Sequence, residues 1–157
     1  MIGFAAGIQA ALDYGVTRLQ GLLKEMTPEQ LEATPAGYNN SIATLVIHTY
    51  GLEARLSYGF RGQQVPEDLA QELLLNLPRT QTLPVVKGET AESLLAKVEK
   101  SHSLFKEALA TLTEADLDRE LPMGPNRTVS IGYLLSLLPH HQGQHYGHMQ
   151  MIKAALA

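Results

Sequence analysis

Four stretches of this chain repeat apolar residues at intervals of three, four or seven, and that spacing constrains the fold more than any other feature. Residues 3 to 26 carry Phe4, Ile8, Leu12, Leu19, Leu22 and Met26 in this pattern. A second stretch, 41 to 60, runs through Ile42, Leu45, Leu52 and Leu56; a third, 90 to 112, through Leu94, Val98, Phe105 and Leu109; a fourth covers 129 to 156. A helix with one apolar stripe must bury it, and four such helices can close a core on one another. No period-two alternation of useful length interrupts them, so the spacing predicts an all-α chain. With 157 residues the chain has the size of one domain, and we read 1–157 as a single core.

Local signals fix the connections. Thr27-Pro28-Glu29-Gln30 places a capping Thr before a Pro suited to the first helical position, with Gln where a capping box needs it, so a short turn of helix should succeed the first long one. Residues 61 to 89 hold Gly62, Pro66, Pro78 and Pro84 as turn formers and only one periodic piece, EDLAQELLLNL. They read as a long crossover with a short helix inside it, and Thr90 can cap the third long helix. The expected architecture is a four-helix bundle with a long crossover between helices two and three. LTEADLDRELP echoes MTPEQLEATP, and each leads through an Asn-containing loop into an apolar helix, so the chain resembles two related helical pairs.

Composition removes several classes of function. The formal charge is −4 and the 12 Lys and Arg residues form no run or basic face, which argues against a nucleic-acid partner. No apolar stretch is long enough to span a membrane and the N-terminus lacks a basic leader, so the expected location is the cytoplasm. The absence of cysteine excludes disulfides, thiolate ligands and a thiol nucleophile, leaving histidine as the soft ligand for a transition metal. Walker, G-x-S-x-G, dinucleotide and HExxH motifs are absent too.

The sequence PHHQGQHYGHMQ in the fourth stretch carries the chemistry. At about 100° per residue, His145 lies about 40° from His141 and His148 about −20°, whereas His140 lies about −100° away. The first three share the sector of Leu134, Leu138, Met149 and Ile152, so their rings face the core, where unpaired imidazoles are costly. His48 sits on the Leu45/Leu52 stripe of helix two and also faces inward. A pair at i and i+4 can chelate one ion, and a third ligand from a neighbouring helix closes a facial site. His102, at the edge of the third stripe and without a histidine neighbour, reads as structural or exposed. Glu53, the nearest acid after His48, lies about 140° round its helix, so no general base is identified. Pro139 either kinks the fourth helix ahead of the histidines or restarts it. Gly143 and Gly147 permit close approach of another helix, within the bundle or in a homodimer, and the homodimer is the assembly expected.

SIATLVIHTYGLEARL together with TVSIGYLLSLLPHHQGQHYGH resembles the DinB/YfiT-like superfamily, and the similarity extends over most of the chain. That resemblance implies a four-helix bundle with one metal-binding histidine on the second helix and an H-x-x-x-H pair on the last. Carried onto this sequence, it implies His48, His141 and His145 as ligands of one divalent ion. The sequence departs from the family where His145 continues as Tyr146-Gly147-His148, so His148 stands as an outer-sphere group or a competing ligand. Histidine ligation suits zinc, nickel, copper or iron, with zinc or nickel the leading choices. The resemblance implies a small-molecule substrate and an S-transferase using a low-molecular-weight thiol, with a hydrolase second. The opposing class is a non-catalytic, stress-associated protein whose metal only stabilises the bundle.

Overall fold

Short polar side chains set where the helices begin. The structure, a computed structural model, describes residues 3–76, 82–124 and 126–157. Pro78, one of the expected turn formers of the crossover, lies outside them. Helix α1 (Gly3–Leu23) is followed by α2 (Pro28–Glu32), where Thr27 Oγ1 accepts from the Gln30 amide at 3.3 Å and Gln30 Oε1 accepts from the Thr27 amide at 3.0 Å. The expected capping box is therefore made. It also ends α1 three residues earlier than the apolar pattern does, because Thr27, preceding Pro28, is held in the extended region.

Ser41 caps α3 (Ile42–Phe60) and Thr90 caps α5 (Ala91–Ala110), each accepting from the backbone amide three residues on. The last helix, α6 (Ile131–Ala155), is capped in the same way by Ser130 and runs unbroken through Pro139. The restart allowed from the sequence does not occur. The long helices α1, α3, α5 and α6 are the four expected, with ends drawn in by at most three residues.

Two pieces differ from expectation. The segment that echoes the α2 region forms a 3-10 turn, Glu114–Asp118, where Asp116 accepts from the Thr113 amide at 2.9 Å. Strands β1 (Glu120–Pro122) and β2 (Thr128–Ser130) come next, paired antiparallel with Leu121 opposite Val129. Val129, expected as the first residue of the fourth helix, lies in β2. Strands of three residues are too short for alternation to register in a sequence.

The crossover folds back over α3. Within it α4 (Glu67–Glu72) ends in a Schellman turn: the Leu75 amide reaches Ala70 O at 2.7 Å and the Leu74 amide reaches Gln71 O at 3.2 Å. Leu74 occupies the left-handed position with φ 53°, where glycine is usual, at a cost of about 1 kcal/mol. Leu69, Leu73 and Val86 are buried against the bundle, and the Val86 amide donates to Thr44 Oγ1 at 3.3 Å. No helix among the described residues is long and apolar enough to cross a membrane.

One polar network joins the four long helices. Glu53 on α3 is wholly buried; His102 Nδ1 on α5 lies 2.9 Å from its Oε2, and Gln142 on α6 donates its side-chain amide to its Oε1. His102 Nε2 lies 2.7 Å from Asp13 on α1, which also pairs with Lys106 at 3.2 Å. His102 is structural, one of the two roles its position allowed, and it is buried rather than exposed. Burial pushes the Glu53 carboxyl up, and its bonds to His102 and Gln142 offset only part of that. Burial works against charge on His102, but the bonds to Glu53 and Asp13 outweigh it and hold its pKa above the usual histidine value. Because folding raises the His102 pKa, its contribution is complete below about pH 6.5 and fades as pH rises through the folded value.

His102→Ala leaves the Glu53 charge uncompensated and is expected to cost about 3–5 kcal/mol, with Glu53→Gln milder. Urea denaturation checks this; a loss below about 1 kcal/mol for His102→Ala would mean that the network does not hold the helices.

Candidate metal centre

The caps set the phase of the two helices that matter. Ser41 starts α3 seven residues before His48, and Ser130 starts α6 eleven residues before His141, so both stripes deliver imidazoles to one point. His141 Nε2 lies 3.2 Å from His48 Nε2 and 3.1 Å from His145 Nε2. The three ligand atoms all fall within 4.8 Å of one another. Arms of about 2.1 Å put adjacent donors about 3.0 Å apart at right angles and about 3.4 Å apart in a tetrahedron. The two observed separations lie between these values.

Hydrogen bonding cannot satisfy this cluster alone. A ring nitrogen has a single in-plane site, either N–H or lone pair, yet His141 Nε2 faces two other ring nitrogens. The outer atoms, His141 Nδ1 and His145 Nδ1, are buried without a hydrogen-bond partner. Protons placed on Nδ1 free the inner lone pairs to face a common cation, and the residues present therefore fit one. Packing, rather than acceptors on Nδ1, then orients these two rings.

Burial, together with the weaker repulsion from neighbouring histidines, lowers the His141 and His145 pKa values to about 4. Neutral, ligating imidazoles are thus the favoured form at neutral pH. His140 and His148 are exposed, and the ring of His148 stands 5.8 Å from that of His145, outside the cluster. The geometry brings together His48, His141 and His145 and leaves out His102, His140 and His148.

A cleft of 330 Å³ opens on His48 and His141, walled by Leu52 and Leu137 and, from the crossover, by Leu73, Leu83 and Val86. No Asp or Glu is among its described lining residues. Glu53 remains in the network beneath and is not among the described residues that line this cleft. Gln142, next to His141, was overlooked in the sequence: it lies four residues after Leu138 and seven before Met149, a polar residue at an apolar-stripe position. Among the described residues Gly143 and Gly147 make no close helix approach, since nothing lies within 4 Å of a Cβ built at either.

The family model of the DinB superfamily matches residues 11–149. Among solved structures, a conserved protein from Enterococcus faecalis is similar over 99% of this chain and 98% of its own, with a TM-score of 0.77 and 19% identity. That likeness concerns the fold. A search of curated proteins returns no match.

His48→Ala, His141→Ala and His145→Ala are each expected to weaken zinc binding by at least about a hundredfold, with His140→Ala and His148→Ala unchanged, as read by titration calorimetry. If His148→Ala loses binding while His141→Ala keeps it, the ligand pair is His145 and His148 instead.

The two imidazoles whose pKa folding depresses stabilise the metal-free protein fully above about pH 6.5. That contribution is lost as pH falls toward about 4. The melting temperature should therefore drop on acidification, and less steeply in a His141→Ala/His145→Ala variant; parallel profiles would contradict the assignment.

Proposed function

The chain belongs to the DinB superfamily, and on that premise we propose that it is a metal-dependent S-transferase: His48, His141 and His145 hold one divalent ion, zinc or nickel, and a low-molecular-weight thiol is the nucleophile. The observation that carries this reading is the cleft on the histidine cluster, with no Asp or Glu among its described lining residues. When bound, the ion would supply positive charge that favours loss of a proton from a thiol or water donor. A thiol, with a pKa near 8.5, needs less help than water, and the described lining of this cleft offers no carboxylate base for the harder deprotonation. That favours the thiol over the hydrolytic reading.

The chain's residues have separate roles. The three imidazoles donate lone pairs from two helices, and burial keeps those of His141 and His145 neutral. Leucines from α3, α6 and the crossover exclude water from the apolar part of a substrate. In the transfer, sulfur bonds to an electrophilic carbon, the leaving group departs with its electron pair, and the thiol proton goes to solvent. The exposed position of His148 supports a coordination sphere left open to substrate rather than closed by a fourth protein ligand.

Tag-free protein loaded with zinc should accelerate thioether formation between cysteine or glutathione and 1-chloro-2,4-dinitrobenzene, followed by absorbance. Metal removal and His141→Ala should each return the rate to background. No thiol-dependent turnover, together with zinc-dependent hydrolysis of 4-nitrophenyl acetate, would replace the transferase by a hydrolase. Tight zinc binding with neither activity would leave the ion a structural role.

A further inference from the structure

A second cleft, of 220 Å³, lies between α1 and α6 and shares no lining residue with the first. Tyr14 and Tyr146 flank its mouth, with the Arg18 guanidinium carbon 5.7 Å and 4.6 Å from their ring centres. The guanidinium bonds the Tyr14 hydroxyl at 3.3 Å, and no carboxylate among the described residues forms an ion pair with it. Lys153, farther along the same groove, donates to Leu22 O at 2.8 Å and is likewise without a carboxylate among the described residues. No Asp or Glu among the described residues lines the cleft or the groove, on a chain of formal charge −4. Two cations and an aromatic pair thus form a locally positive surface on an acidic protein.

The rest of the lining is mainly apolar, from Ala11, Leu19, Tyr50, Pro139 and Met149. Gln142, its amide committed to Glu53, packs its Oε1 against Gly15, where a built Cβ would come within 2.5 Å of it, so Gly15 seats that side chain at the edge of the cleft.

We propose that this cleft binds a small aromatic carboxylate. The carboxylate pairs with Arg18 and the ring enters the apolar cleft beside Tyr14 and Tyr146. The volume is below the roughly 300 Å³ at which drug-sized sites begin, which limits the ligand to about one ring. A two-fold related second copy fits less well, because it would set a patch bearing Arg18 and Lys153 against itself with no Asp or Glu side chain among the described lining residues to pair them. The proposal does not depend on the metal reading.

Titration calorimetry on metal-free, tag-free protein with 4-hydroxybenzoate tests it. One equivalent is expected to bind with a Kd of about 1 mM or tighter, as befits a ligand of about ten heavy atoms. Arg18→Gln and the neutral probe 4-hydroxybenzyl alcohol should each weaken binding at least about tenfold, through loss of the charge-assisted bonds. Gly143→Leu should abolish binding by filling the cleft; nothing lies within 4 Å of a Cβ there, so the fold should tolerate it. His48→Ala should bind like the parent. No binding, equal binding of the two probes, retention in both Arg18→Gln and Gly143→Leu, or loss in His48→Ala overturns the proposal. So does a dimer in light scattering that Gly143→Leu dissociates, because a second copy then covers the cleft.

Discussion

A buried carboxylate has to be answered by the structure around it, and Glu53 is answered from three other helices. Its oxygens meet His102 on α5 and Gln142 on α6, and His102 in turn meets Asp13 on α1. Leaving Glu53, His102 or Gln142 unpaired in the core would cost more than a lost apolar contact. The network therefore sets the level at which the four long helices stand beside one another. Apolar packing alone would allow them to slide or rotate more cheaply, because hydrophobic burial is not directional.

The geometry of the histidine cluster depends on that registration. Gln142 and His141 are neighbours on α6 that face different ways, one toward the network and the other toward His48. Glu53 and His48 stand in the same relation on α3, five residues apart. Fixing Glu53 against Gln142 thus fixes the turn of each helix that presents an imidazole. The three ring nitrogens then meet with more lone pairs and protons than they can satisfy among themselves, and a shared cation would relieve that conflict. The Leu74 strain in the crossover lies in the wall of the same cleft, so the wall is held by packing against local backbone preference.

Much of this was legible in the chain. The apolar stripes located the four long helices to within three residues, and the Thr27 and Thr90 caps were readable because capping is a local interaction. The histidines of the cluster were legible as inward-facing groups at i and i+4 with a partner on another stripe; choosing His141 over His148 took the family resemblance. The Glu53 network was not read, although part of its signal was present: Gln142 occupies an apolar-stripe position and His102 the edge of one. A sequence shows that such a residue faces inward but not which distant residue answers it, since these partners are separated by 49 and 89 positions. The β1/β2 hairpin and the 3-10 turn escaped because elements of three to five residues lack a measurable period.

Whether three imidazoles from α3 and α6 share one divalent ion can be decided by anomalous diffraction at the zinc edge, from crystals of tag-free protein grown with stoichiometric zinc. A single strong peak is expected about 2.0–2.1 Å from the Nε2 atoms of His48, His141 and His145. A peak elsewhere, a fourth protein ligand in place of any of these three, or three intact imidazoles with no peak between them would contradict the shared site.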